Sequence, residues 1–314
     1  MLARIRPSPL TSTRAREGTY SIVARDCSSG ELGVAVQSHW FSVGPIVPWA
    51  RAGVGAVATQ ANVEVAYGPR GLELLAQGLD APTALAQLLT EDGGRDTRQV
   101  AIIDSSGTVA VHTGDSCMAF AGHSIGDGVS CQANVMASER VWPAMLNAFE
   151  TSSGRSLTTR LLATLTAAEA EGGDIRGRQS AAILVVPDAG ASWDSVISLR
   201  VEDHPDPLGE LARLVRLHDA YAIAGQADEC VAAGRHDQAA RLYLRASQLV
   251  PESHELRFWA GLGATQVGDM DSALAHVNAA IDLQPGWRQL LPRLTPGVAP
   301  AARAVLEALQ AAGK

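Results

Sequence analysis

The chain has 314 residues, 46 % of them apolar and 18 % charged, which is enough for two packed cores and excludes a disordered or collagen-like chain. A formal charge of −8 argues against a nucleic-acid binder, which needs a dense basic face. Of the 25 basic residues only Lys314 is a lysine, so a lysine base or Schiff base within the fold is excluded, and no apolar run reaches the length of a membrane span.

The first 18 residues stand apart. Met1–Gly18 carries four arginines and one glutamate among Pro, Ser and Thr, without the apolar stretch of a secretory signal. It reads either as a disordered tail or as a removable pro-segment. From Thr19 the pattern becomes β. Alternation over Thr19–Arg25, a turn at Cys27–Gly30 and a second run over Glu31–Ser38 predict a hairpin, and Gly53–Gln60 predicts a third strand. Helices are expected over Gly68–Leu79 and Ala81–Leu89, the second capped by Asp80 with Pro82 in its first turn. A second hairpin joins Arg98–Asp104 to Thr108–His112, and a short strand ends at Asn134. Helices at Glu139–Glu150 and Leu157–Glu171 then lead to strands at Gln179–Val186 and Ser195–Val201. Strand hairpins interleaved with helix pairs suit two sheets packed face to face, with helices outside each.

Beyond His204–Pro207 the strand pattern stops. Gly234, Asp237, Ala239, Ala246, Leu249 and Pro251 recur 34 residues later as Gly268, Asp271, Ala273, Ala280, Leu283 and Pro285. Small residues at fixed sites let paired helices approach, and this period resembles tetratricopeptide repeats. The flanking helix Leu208–Leu217 and the tail Leu290–Leu309 are expected to cap them. This all-α domain, 208–314, reads as a packing appendage or as a groove for a protein partner; a homo-oligomer is compatible with it. The domains are thus 1–18, 19–207 and 208–314.

The chemistry lies in the first domain. A cut after Gly18 would give Thr19 a free α-amine beside its hydroxyl, and such an amine, which ordinarily titrates near about 7.7–8.0, can take the hydroxyl proton. Gly172–Ser180 is the densest polar loop and leads into an apolar strand. Within it Arg176 and Arg178 can fork a carboxylate, and Asp174 can hold an ammonium; the alternative is an internal salt bridge after a glycine helix cap. The amides of Gln60, Asn62 and Asn134, at strand ends, can donate to an oxyanion or to a neighbouring turn. The histidines have no metal-ligand spacing, and the glycines match neither a phosphate loop nor a dinucleotide fingerprint, so no metal and no cofactor are expected. The scattered cysteines, Cys27, Cys117, Cys131 and Cys230, read as free thiols of a reducing, cytoplasmic compartment.

The strings TYSIVARD, ELGVAVQSHWFSVG, VPWARAGVGAVATQANVEVAYGPRGLELL, HTG, GGDIRGRQSAAILVV and LRVEDHPDP resemble a bacterial family of unknown function classed with the N-terminal-nucleophile (Ntn) hydrolases. The likeness runs from Thr19 to about Leu217. It implies a four-layer α-β-β-α sandwich of the α+β class and places Thr19 at the nucleophile position, although 18 residues precede it here. Arg51 lies where proteasome-like members carry a lysine; as a permanent cation it would lower a neighbour's pKa without acting as base. Residues and resemblance together lead to the expectation of a hydrolase of an amide bond in a small molecule or peptide, with Thr19, Arg51 and Asp174 catalytic and Gln60, Asn62, Asn134, Arg176 and Arg178 at the substrate; the resemblance itself supplies no substrate. The alternative is a non-catalytic small-molecule-binding domain whose helical repeats engage a protein.

Overall fold

The structure is a computed structural model that describes residues 18–311 and 313. The leader, apart from Gly18, lies outside the described residues. By its internal contacts the chain divides between Leu211 and Ala212 into two compact units.

The first unit is a mixed α and β fold built on two antiparallel sheets. Its strands are β1 (Thr19–Arg25), β2 (Leu32–Ser38), β3 (Pro48–Arg51), β4 (Gly55–Ala61), β5 (Arg98–Asp104), β6 (Val109–Thr113), β7 (Gly122–Gly126), β8 (Val129–Asn134), β9 (Ser180–Val186) and β10 (Ile197–Val201). One sheet runs β10-β9-β2-β1-β8-β7, the other β3-β4-β5-β6. Helices α1 (Tyr67–Ala76) and α2 (Ala81–Glu91) cover the smaller sheet, and α3 (Val141–Thr151) and α4 (Leu157–Ala170) cover the larger one. Alternation along β1 explains the layering. Val23 joins Val34, Val36, Ala58 and Ile103 in an aliphatic core between the sheets, whereas the Tyr20 hydroxyl donates to Glu169 on α4 at 2.6 Å. On the far side of the smaller sheet, Val57, Val100 and Ile102 pack under Leu72, Leu75, Leu85 and Leu88.

Two strands escape the sequence pattern, β3 and β7, and both are sheet edges. Proline opens β3 and glycine flanks β7, features that edges tolerate and that erase the alternation signal. Helix α2 has the cap read from sequence: Asp80 accepts from the Thr83 N–H at 2.9 Å.

The second unit is helical. Helix α5 (Pro207–Ala232), far longer than its sequence pattern, contains the division point, and α6 (His236–Leu249), α7 (His254–Gln266), α8 (Met270–Leu283), α9 (Gly286–Leu290) and α10 (Ala302–Ala311) follow. The periodic alanines Ala239, Ala246, Ala273 and Ala280 are fully buried. Phe258 stacks on Trp287 with ring centres 4.4 Å apart. Among the described residues no helix is long and apolar enough to cross a membrane.

Candidate active site

The site forms where β1 begins. Thr19 is paired with Ser38 on β2 and with Asn134 on β8, so the three side chains share the inner face of the larger sheet. The Thr19 and Ser38 hydroxyl oxygens are 2.9 Å apart, and Ser38 donates to the Gly18 carbonyl oxygen at 2.5 Å. A second donor reaches the same oxygen: Arg176 Nη2 at 2.8 Å. The carbonyl of the peptide bond before Thr19 therefore sits between a hydroxyl and a guanidinium, with the Thr19 hydroxyl alongside.

Asp174 holds this arrangement in place. Its side chain is fully enclosed and accepts from the His39 N–H (3.1 Å), the Arg176 N–H (2.9 Å), and Arg176 Nε and Nη2 (3.0 and 2.8 Å). The two-pronged contact fixes the plane of the guanidinium. Gly172 and Gly173, both at positive φ, turn the chain out of α4 so that Asp174 can pair with Met136 and enter the site. Gly18 packs so tightly here that a Cβ on it would lie 2.4 Å from the Asp174 carboxylate.

Behind Thr19 the space between the sheets is polar. Gln60 Nε2 donates to the Thr19 carbonyl (3.2 Å) and to Gln99 Oε1 (2.7 Å), and Gln60 Oε1 accepts from Ser21 (2.5 Å). Gln132 donates to Ser21 at 2.7 Å, and Asn134 Nδ2 donates to Gln99 Oε1 at 3.0 Å. Gln60 thus borders Thr19 with its amide already committed. Asn134 keeps one free function: its Oδ1 is buried without a hydrogen-bond partner, an arrangement that costs stability unless a donor fills it.

The backbone is strained around the same point. Among the described residues the non-glycine residues at positive φ are Ser42, Ala61 and Val135. Ala61 follows Gln60, Val135 follows Asn134, and Ser42 precedes Val43, which lines the cavity beside Thr19. A β-branched residue in this region is a genuine outlier, and such outliers gather at functional sites.

Three of the residues singled out from the sequence lie elsewhere. Arg51 ends β3 opposite Gly55, five residues along β4 from Gln60 and so about 17 Å away along the strand; Val47, not Arg51, faces the Thr19 cavity. The count from Thr19 misplaces the charge because β3 runs away from the site. Asn62 is exposed, its amide donating to Thr97 Oγ1 at 3.0 Å and its carbonyl accepting from Arg98, so it fastens the approach to β5. Arg178 takes the internal salt-bridge alternative, pairing with Glu169 at 2.7 Å and Asp206 at 3.4 Å. That places it with Tyr20 on the helix side of the sheet, where burial first and Glu169 second push the Tyr20 hydroxyl well above its ordinary pKa.

Thr19, Asp174, Arg176, Gln60 and Asn134 are brought together. Ser38, the His39 N–H, Gln99 and Gln132 complete the site without having been singled out. Ser38 was within reach of counting, because a hairpin with Arg25 opposite Leu32 sets Thr19 opposite Ser38. Among the described residues no three His, Cys, Asp or Glu side chains come together as a metal-ligand set.

Residues 19–211 match the family described as a family of unknown function, DUF1028. The crystal structure of protein SPO2555 from Silicibacter pomeroyi, assigned to the same family, is similar at 31 % identity and a TM-score of 0.57, over 63 % of this chain and 88 % of that one. No curated protein matches. With the match covering well over half of its length and starting at Thr19, the chain belongs to the family of unknown function DUF1028.

Proposed function

We propose that this protein is an N-terminal-nucleophile amide hydrolase whose nucleophile, Thr19, is released by cleavage of its own Gly18–Thr19 bond. The observation that carries the reading is the Gly18 carbonyl oxygen, held by Ser38 Oγ and Arg176 Nη2 beside the Thr19 hydroxyl. These are donors placed on the oxygen that becomes an oxyanion when Thr19 attacks. In the cleavage, Thr19 Oγ bonds to the Gly18 carbonyl carbon as its proton passes to Ser38 and the Ser38 proton moves onto the Gly18 oxygen; that proton then goes to the Thr19 nitrogen as the C–N bond breaks and the C=O re-forms. Loss of the Thr19 nitrogen from that carbon gives an ester and a free amine. Water then hydrolyses the ester, releasing residues 1–18 as a carboxylic acid. In the mature enzyme the α-amine serves as base toward a substrate carbonyl. Asn134 Oδ1 supplies an acceptor for an N–H of that amine or of the substrate.

The two-sheet, two-helix-pair architecture supports this reading, because an Ntn fold likewise packs two antiparallel sheets face to face between helix layers. For the helical unit we propose tetratricopeptide-like repeats serving a protein partner. A cavity of about 450 Å³ bordered by Tyr221, Tyr243 and Trp259 supports that role.

Intact-mass measurement on protein expressed from the full reading frame tests the proposal. Loss of residues 1–18 is expected, together with retention of the leader in Thr19→Ala. Hydrolytic activity in protein that keeps Met1 would overturn it.

A further inference from the structure

A small cavity lies against the Thr19 hydroxyl, of about 40 Å³, bordered by Thr19, Ser38 and Gln60 on its polar side. The remaining wall is Trp40, Val43, Ile46, Val47, Ala61 and Val63, without a charged group. On the measure by which one water needs about 10–15 Å³, this space takes about three water-sized groups. Val43 and Val47 are fully buried and form the packed part of the wall, whereas Trp40 is 42 % exposed and Ile46 and Val63 are half-buried.

Ala61 sharpens the point. It occupies the left-handed region at φ 64°, where glycine would carry no strain. Ala61 nonetheless borders the cavity, so the backbone bears a penalty at a position where glycine would also enlarge the space. The opposite approach to the site is open. His39, Trp40, Phe41, Arg176 and Gln179 border a depression of about 480 Å³ that shares Trp40 with the small cavity.

Resting on the Thr19 reading, we infer that the cavity is the acyl pocket and that the substrate is an amide of a short, uncharged aliphatic acid, with about one to three carbons beyond the carbonyl. A charged acyl side chain is excluded because the aliphatic wall offers it no partner. A longer chain directed into this cavity exceeds its volume, each misfitting methylene costing about tenfold or more, whereas the acyl residue of the self-cleaved bond, Gly18, does not border the cavity.

The test uses the full chain after release of residues 1–18 and a series of 4-nitrophenyl esters from acetate through propionate and butyrate to hexanoate and decanoate. Thr19 Oγ attacks the ester carbonyl, 4-nitrophenolate leaves, and the hydroxyl proton passes to the α-amine. The acyl adduct is located on the Thr19 peptide by mass spectrometry, with Thr19→Ala as the control for labelling elsewhere. Adducts are expected for the short acids, with the rate falling at least about tenfold between butyrate and hexanoate. Ala61→Gly, and independently Val47→Ala, are expected to move that cut-off to longer chains. Equal labelling of Thr19 from acetate to decanoate would overturn the pocket assignment while leaving the nucleophile in place. Absence of any adduct on Thr19 across the series would overturn the nucleophile reading and the pocket with it.

Discussion

Thr19 and Ser38 stand opposite each other across the first hairpin with their hydroxyl oxygens 2.9 Å apart, and the single Ser38 proton is directed at the Gly18 carbonyl. The Thr19 hydroxyl is therefore the donor in its bond to Ser38, which on the proposed mechanism makes Ser38 the relay between the Thr19 hydroxyl and the carbonyl oxygen. Ser38→Ala breaks the relay and removes a small, buried group. Positioned proton transfer contributes about 10²–10⁴-fold in general. Leader loss in Ser38→Ala, followed by intact mass over time, is expected to slow by at least about a hundredfold, with the thermal unfolding midpoint little changed. Processing at the parent rate would remove Ser38 from the chemistry.

Gly18 offers a test by volume. A methyl at this position meets the Asp174 carboxylate at 2.4–2.5 Å, closer than any carbon tolerates. Relief requires the backbone to back away from Asp174 and Arg176, taking the carbonyl oxygen off its donors. Gly18→Ala is expected to leave the leader attached while a chain started at Thr19 folds and behaves as the parent does. Efficient cleavage of Gly18→Ala would show that the grip on the carbonyl is not needed.

The two arginines of the 172–180 loop are expected to differ sharply in their effect on stability. Removing Arg176 leaves the enclosed Asp174 carboxylate without its cation, a change that typically costs about 3–5 kcal/mol. Arg178 is half exposed and its Asp206 partner is exposed, while its more enclosed partner Glu169 keeps the Tyr20 hydroxyl as donor, so its removal is expected to cost less, about 1 kcal/mol. Urea unfolding of Arg176→Met and Arg178→Met, both on the Thr19→Ala background to keep the leader constant, measures the difference. Equal effects would mean that Asp174 is held by its backbone donors alone.

Acid sensitivity is expected to trace in part to Asp92. Burial alone would raise its pKa, but hydrogen bonds from Arg98, the Gly94 N–H and the Tyr67 hydroxyl, with the Arg98 charge, outweigh it and bring the carboxyl down to about 2. A depressed carboxylate pKa stabilises the fold above the unfolded value near about 3.9 and loses that contribution as pH falls toward about 2. The shift corresponds to about 2 kcal/mol. Asp92→Asn is expected to lower stability by about that amount at neutral pH and to flatten its decline between about pH 4 and pH 2. A parallel decline in parent and variant would assign the acid limb to other groups.

Much of this architecture was legible because local chemistry and tertiary environment agree. Thr19–Arg25 alternates because one of its faces meets the other sheet and the other meets α4, and Asp80 caps α2 with an ordinary side-chain bond. Thr19, Asp174 and Arg176 were visible as reactive types at a junction and in a polar loop. Arg51 and Arg178 were not separable from them by residue type, since what distinguishes Arg176 is a partner 158 residues away, the Gly18 carbonyl. Asn62 and Asn134 make the same point: both end segments near strand termini, and only the pairing of β8 with β1 in the larger sheet decides which one stands beside Thr19. Gln99 and Gln132 were hidden for a further reason. Glutamine within a strand reads as a solvent-facing residue, and nothing in β5 or β8 alone reveals that its amide is enclosed.

Those enclosed amides bear on how the protein can change. Two aliphatic faces can slip past one another with little loss of buried area, because hydrophobic contact has no direction. Gln60, Gln99 and Asn134 cannot slip, since the bonds of Gln60 with Ser21 and Thr19 and of Asn134 with Gln99 cross between the sheets, and each donor would have to find a new buried acceptor. They act as a key cut for a single alignment of the two sheets. Valines and alanines around Val34 and Ala58 can therefore be exchanged over time without shifting Val47 and Ala61 relative to Thr19 and Ser38. Substitutions that widen or narrow the small cavity then tune one dimension of the protein while the hydroxyl pair, fixed through the key, stays in register.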